Sequence, residues 1–378
     1  MKFMMQQAWV RWACVCCWLA LVSACSSTPD KPKPAPLPAV TGDFKVQKVW
    51  SATIGPVTTP LLASVHGGRV ALASTTGQVA LLDGLTGKDI WRIKLPDTIQ
   101  SGVGGDGQRF AVVSQRNEVI AMENGQVIWR YRLTATSLTP PLVAGGRVFV
   151  LSADRTVTAL DGASGQKIWA QQRSGDPLVL NQAGLLVPFN DNLLVSWGGR
   201  LASVNPNNGS VRWETLLASS RGTNEVERLV DLVAGMDRQG NTVCARAFQS
   251  AVGCVDVSRG SLLWSRPAQG HEGVAGDEQL IFGAESDSKV IAWQRQGGQV
   301  AWTQEGLRFR GLSAPLVLGR SVVLGDDEGL LHFLSRQDGQ PLLRVPTDGS
   351  AIVGRPVAVD QTLVVVTRTG GVFGYRPE

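Results

Sequence analysis

The stretch from Gly145 to Trp169, GGRVFVLSADRTVTALDGASGQKIW, decides the fold. An apolar run follows Gly146-Arg147, a polar turn falls at Ala153-Asp154-Arg155, and a second apolar run ends at Leu160-Asp161. A glycine turn at Gly165 then leads into a strand closed by Trp169. Short apolar runs bounded by turn residues read as β-strands joined by tight connections. The pattern is written out again along almost the whole chain. Gly-x-x-x-Trp endings run from Gly87 to Trp91, Gly125 to Trp129, Gly165 to Trp169, Gly209 to Trp213, Gly260 to Trp264 and Gly298 to Trp302. A degenerate copy runs from Gly339 to Leu343. A carboxylate or amide stands four or five residues before most of these glycines, as in Asp83-Gly84-Leu85-Thr86-Gly87, which is turn chemistry between two strands.

The tryptophans recur roughly every 40 residues, a period that fits propeller blades rather than helical repeats. The run from Thr362 to Tyr375 matches the first two strands of the quoted stretch, but no closing Trp strand follows it before Glu378. The missing strand is at the other end, from Phe44 to Trp50. Counting Trp50, the six later tryptophans and Leu343 gives eight blades. The chain over residues 43–378 is therefore expected to be all-β, an eight-bladed propeller of four-stranded antiparallel blades whose last blade is closed by the N-terminal strand.

Seven of the nine tryptophans beyond residue 25 occupy this one position, so large flat rings filling the gaps between blades explain them without a ligand. Trp197 and Trp293 fall outside the position and are freer to be exposed; a sugar- or peptide-binding propeller that uses Trp197 or Trp293 as a stacking surface is a third reading.

Residues 1–24 read as a targeting segment. Lys2 and Arg11 are basic, and Ala13 to Val22 is an apolar run too short to span a bilayer. It ends in Leu21-Val22-Ser23-Ala24-Cys25, which resembles a bacterial lipobox and implies lipidation of Cys25. No Asp stands second after the cysteine, and resemblance to known lipoproteins then implies sorting to the outer membrane. Residues 25–42 carry five prolines and are expected to be an extended tether.

The formal net charge is +5, falling to +3 without Lys2 and Arg11, and the basic residues are scattered. Nucleic acid is not an expected partner. Of the cysteines beyond residue 25, Cys244 and Cys254 align with Phe149 and Ala159 on the two arms of a hairpin. In an oxidising compartment they form a cross-strand disulfide; the alternative is a pair of buried thiols.

Trp213 and Trp264 lie 51 residues apart, and the excess falls in Leu217 to Asp231. An insertion among economical turns points to function. His66, His271 and His332 sit in different copies, without metal-ligand spacing, and are expected at the surface or in turns. Asp326-Asp327-Glu328 is expected in a turn. No nucleophile elbow, metalloprotease motif or phosphate loop is present, and neither a metal nor a cofactor is expected.

The repeat, in the form Leu81 to Trp91 and Ala159 to Trp169, resembles the blade motif of quinoprotein (PQQ) dehydrogenases. Those enzymes are similar in using adjacent cysteines, a calcium site and a catalytic Asp, which have no counterpart here, so the motif implies fold rather than activity. A periplasmic quinoprotein-like oxidoreductase with a divergent site is the second reading. The combination of lipobox, proline tether, eight blades and the insertion from Thr223 to Asp231 resembles the BamB family, the propeller lipoproteins of the outer-membrane β-barrel assembly machinery. That resemblance implies a non-enzymatic scaffold, lipid-anchored at the periplasmic face of the outer membrane. It would bind a POTRA domain of a BamA-like barrel subunit and help unfolded outer-membrane proteins. The family's partner-binding loops are similar to Leu178-Val179-Leu180-Asn181 and to Arg228-Leu229-Val230-Asp231-Leu232-Val233. Asn181 stands where the family has Arg, and Val233 where it has a second Asp. Leu178, Leu180, Asn181, Arg228 and Asp231 are the candidate partner-binding residues. For Leu178 and Leu180, alternation in an ordinary buried strand is the competing explanation.

Overall fold

The third blade shows how one copy becomes a sheet. In the computed structural model, which describes residues 32–40, 42, 44–174, 178–219 and 229–378, Leu142–Ala144, Arg147–Leu151, Thr156–Asp161 and Lys167–Gln172 pair antiparallel in chain order. The two middle strands are covered on both faces, which is why their sequences are near-continuous apolar runs. The last strand alternates between exposed and half-buried residues, as the outer edge of a blade should.

Eight such sheets are present. In the eighth, Val357–Val359, Thr362–Val366 and Gly371–Pro377 are completed by Val46–Thr53, the N-terminal strand, paired with Gly371–Pro377. Closure by the N-terminal strand is thus observed, with the strand three residues longer at its end than the sequence suggested.

The Gly-x-x-x-Trp signature has a two-part cause. Each outer strand carries a β-bulge at the residue before the Trp position, seen at Ile90, Ile128 and Ile168 and equally at Val49 and Leu263. The bulge turns the following ring toward the next blade. There the ring meets the glycine of the next copy: Trp129 lies on Gly165, where an added Cβ would come within 2.7 Å of the indole. Gly165 also has φ of 72°, a conformation that L side chains avoid. The indole N–H of Trp129 donates to the Gly162 carbonyl at 2.7 Å, so the buried polar atom of the ring is satisfied. The turn before the glycine is held by Asp161, whose Oδ1 accepts the backbone N–H groups of Ala163 and Ser164 and the Ser164 hydroxyl.

Cys244 and Cys254 stand directly opposite each other in the middle of the fifth blade, with Cα atoms 4.0 Å apart and sulfurs within bonding distance. Cys25 lies outside the described residues.

From Ala35 on, the proline-rich segment expected as a free tether lies against the ring. The Ala35 N–H donates to the Arg308 carbonyl at 2.9 Å, Arg344 Nη2 donates to the Pro38 carbonyl at 2.9 Å, and the Gly42 N–H donates to the Leu342 carbonyl at 2.8 Å. Leu37 packs beside Leu307 and Leu312. Extended proline-rich chain has no internal hydrogen bonds, so its backbone groups are free for such partners.

Candidate partner-binding surface

Two connections leave the outer edge of one blade for the inner edge of the next and meet between the third and fifth blades. Leu178-Val179-Leu180-Asn181 lies on the crossing from the third to the fourth blade and is not in a strand, which removes the buried-strand explanation for its leucines. Leu178 is 37% exposed, while Val179 and Leu180 are half-buried above a small cavity of about 60 Å³ that Leu138 and Leu151 also line. Asp231 lies on the crossing from the fourth to the fifth blade. Its backbone is pinned on both sides: the Phe248 N–H donates to the Asp231 carbonyl at 3.0 Å, and the Leu232 N–H to the Gly198 carbonyl at 2.9 Å. Asp231 Oδ2 accepts the Leu180 N–H at 3.0 Å, and Oδ1 stands 3.9 Å from Nη2 of Arg155 in the third blade's turn.

The carboxylate is therefore a brace. It fixes the leucine loop from 51 positions away in the chain and ties both to a turn on a third blade. Asn181 is exposed and borders the ring's central cavity, next to Gln182, whose Nε2 donates to the His271 carbonyl at 2.7 Å. Val233, where the resemblance called for a second Asp, is buried, its N–H donating to the Arg246 carbonyl at 3.0 Å. Arg228 and the insertion from Thr223 to Glu227 lie outside the described residues. Arg155 was missed in the sequence because every copy has a turn at that place, and nothing local marks this one.

Two expectations are corrected, for the two tryptophans and for His332. Trp197 is 3% exposed and Trp293 2%, so neither offers a stacking surface. Trp197 packs with Phe149 and Leu151 of the third blade, and Trp293 lies under the guanidinium of Arg246, 5.7 Å from its ring. His332 is a buried strand residue, with Nε2 at 2.9 Å from Asp326 Oδ2, not a turn residue. Asp326-Asp327-Glu328 is a turn, but Asp326 is buried and also accepts Arg310 Nε at 2.9 Å. Burial pushes the Asp326 carboxyl up, yet hydrogen bonds from His332, the Leu330 N–H and Arg310 outweigh it and hold the group below the usual carboxylate range. Among the described residues no three His, Cys, Asp or Glu side chains stand together as a metal site would need. The buried ion pairs Arg246–Glu285 and Arg295–Asp237 both join the fifth blade to the sixth.

The fold and its repeat define the class: an eight-bladed β-propeller built from quinoprotein-type blades. The family model described as outer membrane protein assembly factor BamB matches residues 47–101 and 77–304. An outer membrane protein assembly factor BamB of Burkholderia pseudomallei (strain K96243) is 36% identical over 360 residues, covering 94% of each chain. The crystal structure of BamB from Moraxella catarrhalis superposes with a TM-score of 0.80 at 22% identity, over 88% of this chain and all of that one. Quinohemoprotein alcohol dehydrogenase from Comamonas testosteroni shares the fold at a TM-score of 0.68 and 13% identity, over 87% of this chain and 76% of that one. The chain belongs to the BamB family of outer membrane protein assembly factors.

Proposed function

We propose that this protein is a non-enzymatic scaffold for outer-membrane protein assembly. Its relatives are named as assembly factors of the outer membrane, and the chain covers them almost end to end. In this reading lipid on Cys25 holds the ring at the periplasmic face. The Leu178–Asn181 loop, braced by Asp231, receives a POTRA domain of a BamA-like barrel subunit, with Arg228 a further candidate contact by resemblance alone. One observation carries the reading: the Leu180–Asp231 hydrogen bond joins the two loops that the resemblance singles out into one rigid patch with an exposed leucine. A fixed apolar anchor beside charged neighbours is the composition of a binding hot spot, since little ordering entropy is lost on docking.

Client strands have a separate place to bind. The bulged residues Ile90, Ile128 and Ile168 are exposed on the outer edges of the first three blades. An open edge with aliphatic side chains can add an extended segment by main-chain pairing.

The test is the affinity of the partner's POTRA domains for the Leu178→Glu variant. Burying a charge where a leucine anchored should weaken binding by tenfold or more, about 1.4 kcal/mol, with the ring still folded by circular dichroism. Unchanged affinity would place the surface elsewhere.

A further inference from the structure

The inner segments of all eight blades enclose a cavity of about 860 Å³ at the centre of the ring. Its wall is mostly apolar, from Leu62, Val65, Leu185, Val187, Met236 and Leu316. Two charged side chains break that wall: Glu272 from the sixth blade and Arg355 from the eighth.

Neither charge has a hydrogen bond or an ion pair with a described residue. The opposite charges closest in influence are already engaged. Arg246, which acts on Glu272, donates Nη1 to Glu285 at 2.9 Å, and Asp237, which acts on Arg355, is paired with Arg295. Burial raises the Glu272 carboxyl to about 7 and lowers the Arg355 guanidinium from its ordinary value. Both side chains are half-buried and open onto the cavity, so a ligand that displaces the water solvating them has to replace it with charged or polar groups of its own. The Gln182–His271 hydrogen bond fixes the segment carrying Glu272 against the fourth blade, so the wall is preformed. A preformed apolar cavity of this size, with a few convergent polar groups, is what small-ligand sites share.

We propose that the channel binds a short zwitterionic peptide with apolar side chains, its carboxylate on Arg355, its ammonium on Glu272 and its side chains along the aliphatic wall. The two protein charges come from blades separated by the seventh, whose Ala314 and Leu316 face the cavity between them. The ligand must therefore carry its own charges at the two ends of an apolar middle, as a peptide with free termini does and a single-charged metabolite does not. The site is independent of the assembly role and stands or falls apart from it.

Isothermal titration calorimetry of the whole protein with the tripeptide Leu-Ala-Leu tests this, alongside its N-acetylated and its C-amidated forms. The free peptide should bind, and each cap should weaken it about tenfold or more, since each deletes one charge pair. Arg355→Gln should abolish the difference between acid and amide, and Glu272→Gln the difference between amine and acetyl. No heat with the free peptide at millimolar concentration, or equal affinity for the capped forms, overturns the proposal. Should either variant fail to fold by circular dichroism, the caps on the unmodified protein still decide it.

Discussion

The seams between blades and the face formed by the third to fifth blades use the chain in opposite ways. At a seam the same few residues are repeated around the ring: a bulge, a ring turned outward, and a glycine to receive it, as with Trp129 on Gly165. At the face nothing repeats. Leu180 and Asp231, from two successive crossings between blades, and Arg155, from a turn of the third blade, meet once. The seam is stabilised by burial that any copy can supply, whereas the face depends on one long-range brace. Substitutions at seams should accordingly change stability and leave partner affinity alone, and substitutions at the face should do the reverse.

The largest effect belongs to the seam. Trp129→Ala removes a buried ring and leaves its partner glycine facing a void, and should lower unfolding free energy by about 3–5 kcal/mol in urea. A loss below about 1 kcal/mol would show that the ring closes without its tryptophans.

Glu272 lies on the channel wall, and its effect depends on pH. Its carboxyl rises from 4.5 to about 7 on folding, because burial disfavours the charge. Below pH 4.5 both folded and unfolded chains hold the proton. As pH rises from there the unfolded chain loses it first, so stability falls until the folded group also ionises near 7 and is level above that. The total is about 3 kcal/mol at most, since channel water softens the cost. Thermal melts of Glu272→Gln should lack this decline, and a parallel pH profile in both proteins would show that the carboxylate is not desolvated.

Next is the fifth blade's own staple. We propose that Cys244 and Cys254 are bridged across their strands. The bridge would close a loop with a sequence separation of 10, and its loss in Cys244→Ala should cost about 2–3 kcal/mol. Two free thiols on titrating the unreduced, denatured protein would refute the bridge.

The smallest effect sharpens the face. Asp231→Ala leaves the Leu180 N–H without its acceptor and loosens the leucine loop, worth about 1 kcal/mol or a fivefold loss of POTRA affinity. Asp231→Asn keeps an acceptor oxygen and should recover most of that. If Asn is as poor as Ala, the charge facing Arg155 matters more than the hydrogen bond.

Most of the fold was legible because it is local and repeated. Asp161 acts within one turn, and Gly165 and Trp169 recur at a fixed spacing so that each ring finds the glycine of the next copy; each copy thus restates the same instruction. The outer-edge exposure of Ile90 and Ile168 followed less directly, from a bulge that sequence spacing does not display. Trp197 and Trp293 were misread for the opposite reason: lying outside the repeated position, they looked free, but both belong to middle strands that neighbouring blades cover.

The sequence by itself determined the blade, the number of blades and the closing strand, because turn chemistry and apolar alternation operate over a few residues; the two loops worth examining came from its resemblance to a family. Only the tertiary structure decided that Asp231 braces Leu180, that Ala35 to Gly42 lies on the ring, and that Glu272 and Arg355 share one apolar cavity. Those relations join residues tens to hundreds of positions apart, and they exist only once closure of the ring brings the blades that carry them around a common axis.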